Sequence, residues 1–139
     1  MRSKAPLALM EQLVMLLVFA LAAALCVQAF VLADRTSRQY DARDRAVLEA
    51  QNAAETLKSV RGDFSQAAAL CGGSFDGQLL GWSRDENWEQ DGPAAYHILV
   101  FPADTEEALL GGAQVTVYTA EGELLFSLPV AWQEVDSRG

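Results

Sequence analysis

An α+β fold, in which a long N-terminal helix packs on a small antiparallel β-sheet, is predicted by three features of the chain. No Gly and no Pro occurs between Leu7 and Arg61, whereas all ten Gly and three of the four Pro lie from Gly62 onward. Within that breaker-free stretch, Ala46, Ala50, Ala53, Leu57 and Val60 recur at three- and four-residue spacing, with Val47 and Ala54 beside them, which makes one apolar stripe on a helix. After Gly62 the pattern changes to short apolar or alternating segments bounded by Gly and Pro, the signature of strands.

The elements follow in order. Residues 1–6 form a short basic leader carrying Arg2 and Lys4. Residues 7–33 form an apolar segment, Leu7 to Met10 and then Leu13 to Val27 unbroken, with no Lys, Arg or His. A run of ~20 apolar residues is enough to cross the hydrocarbon core of a bilayer, so this is the transmembrane half of the helix. Residues 34–61 continue it as an amphipathic half, and at ~1.5 Å per residue the whole would form a rod of roughly 80 Å. Asp34 with Arg38, and Asp41 with Arg45, are opposite charges spaced to pair on its wet face. Pro6 suits the first turn of such a helix, and Gly62 ends it.

Residues 62–139 read as a small acidic α+β unit. Asp63 can cap a short helix from Phe64 to Leu70, closed by Gly72-Gly73, and a loop bearing Gly, Asp and Trp is expected from Ser74 to about Pro93. Tyr96 to Phe101 reads as a strand. In Ala113 to Thr119 the residues Ala113, Val115 and Val117 alternate inward. Ala120-Glu121-Gly122 reads as a hairpin turn into a return strand from Glu123 to Leu128, which Pro129 either ends or assigns to a sheet edge. Asp104 to Leu110 fits a helical turn or a loop. About 78 residues make a marginal core alone, and the stripe of the long helix supplies the missing apolar surface.

Glu11 is the residue that carries most functional information. A carboxylate inside an apolar span costs roughly 2.5 to 3.5 kcal/mol on insertion scales and marks a functional site in search of a partner. That partner must come from the chain's own amino end, from lipid headgroups or from another molecule. The order Lys4-Ala5-Pro6, then Leu7-Ala8-Leu9-Met10-Glu11-Gln12-Leu13-Val14, resembles the prepilin N-terminal motif of type IV pilins and type II secretion pseudopilins. The resemblance implies a leader cleaved by prepilin peptidase before Leu7. It also implies that Glu11 is the assembly residue, meeting the amino group of a neighbouring subunit as a filament grows. Where the family places Gly or Ala before the scissile bond this chain has Pro6, a departure that opposes processing at Pro6-Leu7 and leaves an uncleaved relative as the other course.

Charge is unevenly spread. Residues 62–139 carry two basic and thirteen acidic side chains, a net −11 within a chain of net −9. Nucleic acid needs a basic footprint and is disfavoured as a partner, as is adhesion to anionic lipid. Arg2 and Lys4 precede the span, but Arg35, Arg38, Arg43 and Arg45 follow it, so the positive-inside count does not orient it. An N-terminus inside the cytoplasmic membrane, with the C-terminal domain outside, comes from the family resemblance.

Little in the chain points to catalysis or to a cofactor. His97, the single histidine, lies in a strand, and no phosphate loop, metal-ligand cluster or nucleophile elbow is present. Asp85, Glu86, Asn87, Glu89 and Asp91 make an oxygen-rich loop that reads as a solvated acidic loop, with Ca²⁺ as the alternative although EF-hand spacing is missing. Trp82 and Trp88 flank it as packing anchors or, if exposed, as an interaction pair. Cys26 and Cys71 are too far apart to bridge on a continuous helix and read as free thiols; Leu25-Cys26 is a poor lipobox. The expected function is that of a non-enzymatic minor pilin or pseudopilin-like subunit of a type IV pilus, competence or type II secretion filament. Its partners would be the membrane, other pilin-like subunits and the assembly machinery. Two alternatives stand beside it: a single-pass anchored extracytoplasmic binding or scaffold domain, and a secreted protein cleaved at Val27-Gln28-Ala29.

Overall fold

The computed structural model describes residues 4–134, so Met1, Arg2 and Ser3 of the basic leader lie outside the described residues. The element order is α1 (Ala5–Ser59), α2 (Phe64–Cys71), β1 (Ser74–Phe75), β2 (Leu80–Arg84), β3 (Tyr96–Ala103), β4 (Leu110–Thr119) and β5 (Leu124–Gln133). This is an α+β fold: a long N-terminal helix followed by a small antiparallel sheet, the general architecture of pilin-like proteins. By its contacts the chain divides into two units, Met1–Tyr40 and Asp41–Gly139.

In the first unit α1 is helical throughout, and its apolar side chains from Leu7 to Leu32 are exposed. The Lys4 carbonyl accepts the Ala8 N–H at 3.2 Å, so Pro6 sits in the first turn, where its missing N–H leaves no helical bond unmade. Asp34 and Arg38 pair at 3.2 Å.

In the second unit the apolar stripe of α1 is buried as its spacing predicts: Ala46, Ala50, Ala53, Ala54 and Leu57 face the sheet and share its core. Four alanines in that row keep the helix surface low where it meets the core. The Asp41–Arg45 pair expected here is not made; among the described residues the other ion pairs are Lys58–Glu55 and Arg84–Glu49. The Leu57 carbonyl accepts from Gly62 N at 2.9 Å and the Lys58 carbonyl from Arg61 N at 3.2 Å. Those two bonds close the helix through left-handed backbone at Arg61 (φ 52°) and Gly62 (φ 77°). Asp63 then caps α2, accepting from the backbone N–H groups of Ser65 (3.1 Å) and Gln66 (3.2 Å), and Gly72 ends it at φ 70°.

The sheet is a five-stranded antiparallel meander in the order β1-β2-β3-β4-β5, where the sequence predicts a meander of three or four strands. The extra strands occupy the segment read as a loop from Ser74 to Pro93. There Leu80, Trp82 and Arg84 alternate into the core, a pattern that the arginine and Gly81 disguise. The other strands run longer than expected, through both prolines. Pro129 pairs with Gln114 inside β5, which is an edge strand and tolerates a missing N–H. Pro102 pairs with Ala113 beyond the point where β2 stops, Leu80 opposite Val100, so β3 has one neighbour there. Ala120-Glu121-Gly122 turns the β4–β5 hairpin, with Thr119 N–H bonded to the Glu123 carbonyl at 2.9 Å and Gly122 at φ 89°. A bulge beside it, Tyr118 opposite Leu124 but Val117 opposite Phe126, turns both Leu125 and Phe126 toward the core. Asp104 to Leu109 is a loop with one turn, Leu110 N–H to the Glu107 carbonyl at 3.1 Å.

Leu80, Ile98, Val100, Val115 and Val117 are fully buried under the helix. At one end of this core Phe64 stacks on Phe75 (centroids 5.3 Å apart) and meets the edge of Trp132 (6.1 Å). Gly62 and Gly111 lie against the Trp132 indole so closely that a Cβ on either would overlap the ring.

Candidate functional site

The first turns of α1 hold all three residues that the sequence singles out. Pro6 and Leu7 belong to the opening turn, so the peptide bond between them is helical backbone. Glu11 follows one turn later. It shares a surface with Lys4, Leu7, Ala8, Met10, Val14 and Met15, a rim of apolar side chains with a cation at one end. Lys4 and Glu11 are two turns apart, roughly 10 Å along the axis, and do not pair. Among the described residues no ion pair reaches Glu11.

The surface around it is unusual in extent. Leu7, Phe19 and Phe30 are 72%, 74% and 76% exposed, and nearly every large apolar side chain between them is exposed too. Single exposed leucines need no explanation, but a contiguous surface of this length marks contact with a membrane or a partner. Among the described residues, α1 is the one helix long and apolar enough to cross a membrane, with a mean hydropathy of 2.6 over its best window. A lone carboxylate on such a surface can do one kind of chemistry: it can accept hydrogen bonds from, and neutralise, a cation or amino group brought to it.

The loop considered for calcium is organised by its own backbone. One carboxylate oxygen of Asp85 accepts from the N–H groups of Asn87 (2.9 Å) and Glu89 (2.8 Å), and the Asp85 N–H donates to the Glu89 carbonyl at 2.9 Å. Gly92 packs against that carboxylate so tightly that a Cβ would overlap it. Among the described residues no three metal-ligating side chains gather. Trp88, at φ 64°, stacks on Tyr96 with centroids 4.0 Å apart, whereas Trp82 is buried in the core, so the two indoles do not form an exposed pair. His97 Nδ1 lies 3.0 Å from Ser83 Oγ on the neighbouring strand. The short Asp76 turn is held the same way as Asp85. Backbone N–H groups of Gln78 and then Leu79 bond its carboxylate and hold the carboxyl below its usual range.

One polar cluster escapes the sequence reading. Arg84, 9% exposed, points inward from β2, and its Nε lies 3.6 Å from a carboxylate oxygen of Glu49 on α1. Its Nη2 donates to the Cys71 carbonyl at 3.4 Å and its Nη1 to the Ser83 carbonyl at 3.3 Å. One guanidinium thus ties the long helix, the end of α2 and the sheet together. The signals were the positions themselves: Glu49 falls inside the Ala46–Ala50–Ala53 stripe, and Arg84 continues the Leu80–Trp82 alternation. Cys71 sits beside the cluster as a free thiol, as does Cys26 in the apolar segment. Burial pushes the Cys71 thiol up, against the opposing pull of the Thr56 hydroxyl and the Arg84 guanidinium. No family model matches the chain, and comparison with curated proteins and with solved structures finds no match to it.

Proposed function

We propose that this chain is a minor pilin or pseudopilin-like structural subunit that enters a type IV pilus, competence or type II secretion filament through α1. The observation that carries the reading is Glu11, a carboxylate without an ion-pair partner among the described residues, in the second turn of a helix whose apolar surface is exposed from Leu7 to Leu32. An anchor needs only the apolar surface, and a charge inside it weakens the anchor, by roughly 2.5 to 3.5 kcal/mol at a helix centre and by less near the end of the run, where Glu11 stands. An assembling helix has a use for the charge: Glu11 of one subunit neutralises the amino end of the next, and the packed helices conceal both from lipid.

In this reading the protein is non-enzymatic and spans the cytoplasmic membrane once. Its N-terminus lies inside, and its acidic sheet unit lies outside to meet neighbours or cargo. Pro6 and Leu7 are the positions a prepilin peptidase would act between, after unwinding the first turn of α1. The test is Glu11→Val in the full chain, read by two assays. Insertion into the membrane fraction is expected to persist, while co-purification with the filament subunits falls at least tenfold. Undiminished co-purification would reduce α1 to an anchor and sink the proposal.

A further inference from the structure

We propose that the free edge of β5 is a docking site for an extended segment of another protein, which adds to the sheet as a further strand and carries alternating apolar residues with Lys or Arg at its ends. The inference concerns the sheet unit and goes beyond the use made of α1. β5 has β4 on one side and no described strand on the other. One bond fixes the side to which each of its backbone groups turns. The Glu134 N–H donates to the Leu109 carbonyl at 2.9 Å, in the same register that sets Trp132 opposite Gly111 and Leu128 opposite Val115. Facing residues in an antiparallel ladder alternate between bonded and unbonded pairs, so Phe126, Leu128, Val130 and Trp132 bond to β4. Ser127, Pro129, Ala131 and Gln133 then turn their backbone groups outward. That row offers carbonyls at every position and N–H groups at Ser127, Ala131 and Gln133, with Pro129 lacking one.

The core beside this edge is incompletely covered. Val115 and Val117 on β4 are fully buried, whereas Leu128 and Phe126 opposite them on β5 are half-buried. A strand added to the outward row would lay every second side chain beside those two, and apolar residues there would complete the cover. Charge chooses between the possible occupants. Leu124 to Gln133 carries no charged side chain, but Glu121 and Glu123 precede it and Glu134 follows it, all exposed. A second copy would bring the net −11 of its own residues 62–139 against the first and be repelled. A segment with cations at its ends instead meets carboxylates at both ends of β5. Backbone pairing then supplies affinity, and the apolar alternation and terminal cations supply selectivity.

The probe is a synthetic peptide of alternating Val and Thr with Lys at each end and blocked termini, titrated against the full chain in uncharged detergent micelles and read by fluorescence anisotropy. Binding is expected, and methylating the Thr backbone nitrogens, which face β5 when the Val side chains face the core, is expected to weaken it about tenfold. Ala131→Pro removes an outward donor and no bond to β4, and should weaken binding about fivefold; Pro129→Ala returns a donor and should tighten it by about the same factor. Circular dichroism and the thermal midpoint of each variant check that the sheet is intact. No binding, or a Pro129→Ala variant of unchanged affinity, would overturn the docking site. Equal binding by the methylated peptide would overturn it too, by showing only attraction of cations to an acidic surface. Self-association of the chain that the peptide displaces would assign the edge to a second copy and overturn the choice of partner. None of these readouts depends on Glu11, so this inference and the filament reading fail separately.

Discussion

Arg84 and Glu49 meet where the side chains are only 11% and 19% exposed, and each has given up most of its hydration. Removing one partner from such a pair strands the other, which is more costly than losing both. Arg84→Ala is therefore expected to destabilise the second unit by about 3 kcal/mol, measured as a lower urea midpoint with unchanged slope. Replacing the pair together, Glu49→Leu with Arg84→Met, should restore much of that loss. The neighbouring Cys71 makes a pH prediction. Its thiol is raised in the folded protein, so the neutral form is the one that folding favours. This contribution is present in full below the ordinary thiol range of about 8.5 and is lost as pH rises through and above it. Denaturation midpoints should fall on the alkaline side for the wild type and fall less for Cys71→Ala. At pH 8, alkylation of Cys71 should be much faster in urea than in the folded chain.

At the level of elements, the helix–sheet contact is set by residues too small to draw notice. Ala50 is fully buried between α1 and the sheet, and a larger side chain there must push the two apart. Ala50→Leu is expected to cost about 2 kcal/mol by overpacking, seen as a lower thermal midpoint, while Gln51→Leu on the exposed side leaves it within about 0.5 kcal/mol. The stripe itself was legible in the sequence because helical periodicity survives over many residues. So were α2, whose cap is a single aspartate, and the β4–β5 hairpin, whose turn needs glycine. β1 and β2 were not legible: β1 is two residues long, and β2 alternates through an arginine whose partner lies on another element. Strand ends were missed wherever proline stands on an unpaired side, since that tolerance depends on the neighbouring strand and not on local sequence. At the candidate site Glu11 stood out because it breaks an apolar run. Glu49 did not, because one carboxylate beside alanines looks the same in sequence whether it faces solvent or a buried guanidinium.

For the whole molecule, two demands meet in one helix: its beginning must suit an apolar surrounding and its end must complete a water-soluble core. Glu11 opposes the first demand, so Glu11→Val should make insertion more favourable, by less than the roughly 2.5 to 3.5 kcal/mol of a charge at a helix centre because Glu11 stands near the start of the apolar run. Residues 62–139 carry a net −11, a charge that favours solubility, and Arg84, the one described cation among them, is committed to Glu49. The Trp132 indole, seated against both Gly62 and Gly111, has a consequence for the order in which the protein is made. Synthesis proceeds from the N-terminus, so α1 and its alanine row emerge long before the last strand does. Until Trp132 has left the ribosome, the exit of α1 lacks the ring that closes over it. A chain that ends within β5 should therefore leave the Gly62 turn uncovered and be cut there by added protease sooner than the full chain.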